Sequence, residues 1–213
     1  MLIGDPEGQW QDVSRTFQLA MAADPLLVIE RTEKFSFGFG DVELKEISLP
    51  NIYIVYGDMR LRHHRFRVRA FDMPETIELH FSLSGNGVVD NYANGRTYNF
   101  RANEHNIVYM PEFDGNAEYR PDEPYRFLEI HFMSSHFLEL AKNTTPSMER
   151  FLEQVVKKQS TDIGKESLPI TLAMHQCIQD IINCGYKGGL KLLFLQAKCV
   201  ELLTLQAQAF EQG

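Results

Sequence analysis

The chain changes its period near Ser134, and that change limits what it can fold into more than any other feature. Before it, β-branched and aromatic runs are cut by Gly, Pro, Asn and Asp at intervals of roughly 8 to 12 residues, the spacing of an all-β sandwich or barrel. Candidate strands fall at residues 26–33, 42–47, 52–56, 66–70, 76–84, 87–92, 96–100, 105–110, 117–120 and 126–133. Gly85-Asn86-Gly87, Asn94-Gly95 and Asp114-Gly115 supply residues that tolerate positive φ and so mark turns, with Asn94-Gly95 the clearest hairpin. A short helix over 9–21 can precede the first strand.

After Ser134 the pattern is helical. Ser135 can cap a short helix running to Ala141, and Thr145-Pro146 is a cap and first-turn pair opening a helix to about Lys158. Ile170, Met174, Cys177, Ile178 and Ile181 form one apolar stripe, and Gly185 stands where a helix end favours a left-handed residue. The short link 185–189 folds the last helix, 190–210, back as an antiparallel hairpin. That helix carries two apolar lines, Leu192, Leu195, Cys199, Leu202 and Leu193, Ala197, Val200, Leu203, which leaves mainly Lys191, Lys198, Glu201 and Gln208 for water. Two lines exceed what one face buries: either the helix is wedged between barrel and neighbouring helix, or Leu192, Leu195, Cys199 and Leu202 meet a second copy. The expected division is therefore a β domain at 1–133 and a helical dimerisation and linker region at 134–213.

Apolar residues make up 44% of the chain, enough for a buried core. No run approaches the roughly 18 apolar residues of a membrane span, and residues 1–10 lack a basic start or an apolar signal core, so the expected location is the cytoplasm, away from membranes. The net charge of −8 repels a polyanion, and the excess acid lies before Ser134. Cys177, Cys184 and Cys199 are an odd set without CxxC spacing, read as reduced packing residues rather than zinc ligands. There is no GxSxG, no phosphate-binding glycine loop before a helix and no HExxH, so the chain does not read as an enzyme.

Glu78 and His80 share one strand face, and Glu129 and His131 repeat the same E-x-H-F pattern. On neighbouring strands they would converge, as ligand contacts or as a metal set. Alternation with Ile77, Leu79, Phe81, Leu128, Ile130 and Phe132 argues instead for an outward cluster, solvated or covered by a helix. Arg67 lies in a basic strand with Arg65 and Arg69, either a solvated face or a seat for an acidic ligand or partner. His105 reads as a packed or turn-capping histidine. Tyr53, Tyr56, Tyr92, Tyr98 and Tyr109 could wall a hollow interior or simply fill it.

Three stretches, ELHFSLSG at 78–85, YNFRANEHNIVYMP at 98–111 and EIHF at 129–132, resemble the N-terminal cupin-like domain of AraC-type transcription regulators. The tail NCGYKGGLKLLFLQAKCVELL at 183–203 resembles the linker helix of the pyochelin-regulator branch. The resemblance covers about residues 50 to 210. It implies an α+β chain: a cupin-like antiparallel β-barrel (jelly roll) that senses a small-molecule effector, then helices that form a homodimer. In that family two helix-turn-helix motifs follow; since the chain stops at Gly213, DNA contact is expected through a domain not included in it. The alternative is a metal-dependent cupin enzyme acting on a small molecule through Glu78, His80 and His131. Glu78 precedes Gly85 by the spacing of the cupin first motif and would then point inward. The paired histidines of that motif are missing near 71–74, and Asn116 and Glu118 follow Gly115 where a histidine is expected. The expectation is thus no metal and no cofactor, and an organic effector touching Glu78, His80, Arg67, Tyr109, Glu129 and His131.

Overall fold

The computed structural model describes residues 2–4, 10–12, 28–71 and 74–212. In chain order the strands are β1 (Leu2–Gly4), β2 (Trp10–Asp12), β3 (Ile29–Phe37), β4 (Gly40–Leu49), β5 (Ile52–Leu61), β6 (Arg65–Ala70), β7 (Thr76–Ser84), β8 (Gly87–Asn91), β9 (Arg96–Phe100), β10 (Glu104–Tyr109), β11 (Phe113–Tyr119) and β12 (Tyr125–Met133). Helices α1 (Ser134–Ala141) and α2 (Pro146–Val156) follow, then β13 (Thr161–Asp162) and β14 (Leu168–Pro169), then α3 (Leu172–Ile182) and α4 (Gly188–Gln212). One sheet runs β2-β1-β6-β11-β8-β9 and the other β13-β10-β7-β12-β5-β4-β3, with β14 added on β10. All pairings are antiparallel. No ladder joins the two sheets among the described residues, so the expected barrel is an open two-sheet sandwich with a helical third layer.

Strand alternation explains the layering. On β7, β10 and β12 the apolar residues Ile77, Leu79, Phe81, Ile107, Leu128 and Ile130 leave the sandwich and join one buried cluster with Phe137, Phe151, Met174, Ile178 and Leu195 of the helices. Each such side chain stabilises the fold by about 1.5–3 kcal/mol. A second cluster, including Phe39, Phe66, Val89 and Ala117, lies between the sheets.

Local chemistry fixes the element ends. Thr145 Oγ1 accepts from the Met148 amide at 3.2 Å and Thr171 Oγ1 from the Met174 amide at 3.3 Å, capping α2 and α3. The first helix begins at Ser134 with no side-chain cap, not at a Ser135 cap, and the Ser134 hydroxyl donates to the Glu75 carbonyl at 2.9 Å. α3 ends at its cap Asn183 with φ −100° and not at a left-handed Gly185; the left-handed glycine of the link is Gly188, φ 55°, where α4 begins. Asn94-Gly95 forms the expected hairpin, but Asp114-Gly115 lies inside β11. A Cβ on Gly115 would sit 1.8 Å from the Asp90 carbonyl oxygen, so glycine there permits close approach of β8. Of the helix expected over 9–21, Trp10–Asp12 is strand and the rest lies outside the described residues.

α4 packs antiparallel on α3, and its apolar stripe turns inward. Leu195, Cys199 and Leu202 are fully buried in the cluster that joins helices to sheet, and Leu192 packs beside them. Leu195, Cys199 and Leu202 are therefore interior residues, and the dimerisation face expected on them is corrected; Leu192 is half-buried. Lys191, expected in water, is buried and paired with Glu30. The large apolar residues α4 does expose are Leu190 and Leu193, each 66% accessible. No helix among the described residues is long and apolar enough to cross a membrane.

Candidate functional site

The two E-x-H-F segments meet. β7 and β12 are neighbours with Glu129 opposite His80 and His131 opposite Glu78, so antiparallel pairing of one pattern with itself sets every carboxylate across from an imidazole. β5 borders β12 on its other side, placing Tyr53 opposite His131, and β4 places Glu46 opposite Val55, which is opposite Glu129. These polar side chains look into the sandwich. The cluster is not outward as the alternation suggests, because helices cover the apolar alternates, which leaves the polar face to line the space between the sheets.

That space is a cavity of about 340 Å³. Its polar wall comprises Glu46, Tyr53, Glu78, His80, Glu129 and His131. Much of the rest is aromatic: Phe37, Phe39 and Phe66 stack with centroids 4.7 and 4.6 Å apart. A few convergent polar groups in an apolar chamber are the usual make-up of a small-molecule site.

The histidines are tied down electrostatically. His80 Nδ1 lies 2.8 Å from Glu78 Oε1 and 3.5 Å from Glu129 Oε1, while its Nε2 faces Ser82 Oγ and Tyr125 OH, both at 3.1 Å. Burial opposes its charge, but hydrogen bonds and charges of Glu129 and Glu78 outweigh burial and hold its pKa at about 9. His131 Nε2 lies 3.3 Å from Glu129 Oε2, and its pKa is raised against burial in the same way. Burial opposes the charge of the half-buried Glu129, but hydrogen bonds from His131 and His80 hold its pKa down at about 2. Glu46 is pushed up by burial, and its Oε1 accepts the Tyr53 hydroxyl.

Glu78, Glu129 and His131 each offer a ligand atom within 4.8 Å of the others, a set that could grip a divalent cation. His80, charged at neutral pH, already stands between the two carboxylates as their counter-ion and would repel a metal placed there.

Two residues expected at the site are elsewhere. Arg67 lies on the outer face of β6, with its guanidinium 5.4 Å from the Trp10 ring centroid, because Phe66 and Val68 take the cavity face. Its neighbours Arg65 and Arg69 pair with Glu118 and Asp114, so the basic strand is a compensated outer surface. Tyr109 is buried on the helical side of β10, where Val108 and Met110 take the cavity face. Of the other tyrosines considered, Tyr53 lines the cavity, whereas Tyr56, Tyr92 and Tyr98 do not. His105 is packed, under α4. Sequence reasoning missed Glu46, whose signal was a carboxylate continuing the apolar line Val42, Leu44 on β4, and Ser82 and Tyr125, which support His80.

Solved structures with partial likeness include a cupin-like protein from Thermotoga maritima (16% identity, TM-score 0.36, 49% of this chain and 80% of that one). Others are vicilin from hazelnut, Corylus avellana (12%, TM-score 0.38, 52% and 34%), and AerE from Microcystis aeruginosa (13%, TM-score 0.37, 52% and 48%). Likeness at this level says nothing about ligand or activity. No curated protein matches the chain. The family described as regulatory protein PchR N-terminal domain matches residues 39–213. On that match, which spans both sheets' main strands and all four helices, the chain belongs to the PchR N-terminal regulatory domain family.

Proposed function

We propose that the chain is the effector-sensing and dimerisation part of an AraC-type transcription regulator acting in the cytoplasm, and not an enzyme. An organic molecule enters the cavity between the sheets, and its occupancy is relayed to α4 on the far side of the eight-stranded sheet. The observation that carries this reading is the Glu/His cluster turned into a largely apolar chamber, with the opposite face of the same strands packed on the helices. Alternate residues of β7 thus touch the cavity and the helical layer.

The remaining roles follow from charge and exposure. With a net charge of −8, DNA contact belongs to a separate helix-turn-helix domain, and this chain alone should bind no duplex at physiological salt. Two copies pair about a two-fold axis through the exposed edge of α4 at Leu190 and Leu193. In this reading residues 1–133 sense and 134–213 dimerise and relay.

Thermal-shift screening of organic compounds tests the proposal. A true effector at about 100 times its Kd should stabilise the protein by about 2.7 kcal/mol. Val55→Phe, which fills the cavity beside Glu129, should remove that gain while leaving a folded protein. Equal stabilisation of the variant would place the ligand outside the cavity. Stoichiometric tightly held metal in purified protein would favour the enzyme alternative through Glu78, Glu129 and His131.

A further inference from the structure

The charges around the cavity are one-sided. Glu46, Glu78 and Glu129 face it, and no lysine or arginine does among the described residues. Glu78 and Glu129 are matched by His80 and His131. Glu46 is not. It sits two strands from Glu129 along one rung, Glu46 to Val55 to Glu129, roughly 10 Å away at strand spacing. The residue is 3% exposed. Tyr53 occupies its Oε1, while Oε2 is buried with no hydrogen-bond partner among the described residues. A buried carboxylate oxygen left without a donor is unfavourable, so such an atom marks a place where a bound molecule is expected to supply one.

The surroundings narrow the donor's chemistry. Phe35, Phe37, Tyr53 and Phe127 line the same chamber, and aromatic faces attract cations. A carboxylate or phosphate would instead meet like charge, with no lysine or arginine on the cavity wall among the described residues. Among the described residues a metal ion has no coordination shell at Glu46, which lies outside the Glu78, Glu129, His131 group.

Resting on the reading of the cavity as an effector site, we infer that the effector is an organic cation, a protonated amine on an apolar or aromatic body, and that its N–H groups bind Oε2 of Glu46. The ammonium meets Glu46 and neighbouring rings, and the body occupies the chamber toward Phe39 and Phe66. The histidine-neutralised carboxylates form the far polar wall. Selection is by charge sign at one residue.

Three indole probes of similar size separate the possibilities: tryptamine, tryptophol and indole-3-propionate carry an ammonium, a hydroxyl and a carboxylate. Saturation-transfer NMR and calorimetry on the intact chain should give tryptamine at least a ten-fold preference over both others, within the low-millimolar affinity of a fragment. Glu46→Gln retains an oxygen for Tyr53 and removes the charge, so it should collapse that preference to less than about three-fold. Equal or tighter binding of tryptophol or indole-3-propionate by the native chain would overturn the inference while leaving the cavity as an effector site. A preference that survives in Glu46→Gln would overturn the assignment to this residue. Failure of all three to bind at about 5 mM would count against the cavity as an organic site and against the inference together.

Discussion

Gln206 of α4 donates from Nε2 to Nδ1 of His105 at 3.1 Å and to the Asn106 carbonyl at 3.1 Å, the side-chain bridge by which the last helix grips the edge of the eight-stranded sheet. His105 also contacts Phe81 of β7 and the edge of Phe210, with centroids 5.9 and 5.4 Å apart. Phe81 follows His80 in sequence, so one peptide unit separates the cavity wall from this contact. Gln206→Leu should lower stability by about 1–3 kcal/mol by orphaning His105 and the Asn106 carbonyl. It should also weaken the response of α4 amide exchange to a cavity ligand. Loss of stability with an unchanged exchange response would separate packing from relay.

Burial lowers the pKa of His105 to about 4, against an unfolded value of about 6.5. The unfolded chain therefore binds the proton more readily, and the stabilising contribution, present above pH 6.5 or so, is lost as pH falls toward 4. Urea titrations should show the unfolding free energy declining over that interval by on the order of 1–3 kcal/mol. His105→Phe should flatten this slope; an unaltered slope would assign it to other groups.

His80 works with the opposite sign. Its folded pKa of about 9 exceeds the unfolded value, so its contribution is complete below about pH 6.5 and disappears as pH rises through 9. His131 adds in the same direction. Alkaline titration should weaken the native protein more than His80→Gln, in which only the His131 contribution remains. In Glu129→Gln, which leaves both imidazoles without their shared counter-charge, stability should drop by about 3–5 kcal/mol, and NMR should show both histidines titrating at lower pH.

Two leucines two residues apart on α4 should answer differently. Leu195→Ala opens a hole in the buried cluster and should cost about 2–5 kcal/mol, with no specific effect on association. Leu193→Asp leaves that cluster intact and should convert the proposed dimer to a folded monomer in analytical ultracentrifugation. A Leu193→Asp dimer as tight as the native one would place the interface elsewhere.

Much of this architecture is legible in the sequence because period 2 and period 3.6 are strong signals. The long strands from β4 through β12 and all four helices lie close to the expected segments, except β11, whose first half at Phe113–Asn116 includes the expected Asp114-Gly115 turn. The strands β1, β2, β13 and β14 have two or three residues each, too few to show a period, and exist through long-range pairing. Alternation also identifies Glu78, His80, Glu129 and His131 as sharing a face without saying which face is inside. In an isolated sandwich the apolar face would be inside. Here a helical layer claims Leu79 and Leu128, and only the tertiary fold reveals that reversal. The same ambiguity misplaced Leu195, Cys199 and Leu202, since a stripe that buries into its own chain looks like one that meets a partner.

Trp10, the single tryptophan, lies against Gly4 and beneath Arg67 and Arg69 on the outside of the six-stranded sheet. Its optical signal therefore watches the docking of the β1–β2 pair onto β6, with one sheet thickness between it and the cavity. Val68, between those two arginines, faces the cavity from the other side of the strand. Intrinsic fluorescence should stay silent for a molecule that merely fills the chamber and should change for one that displaces β6, so the chain carries its own reporter of wall movement as distinct from occupancy.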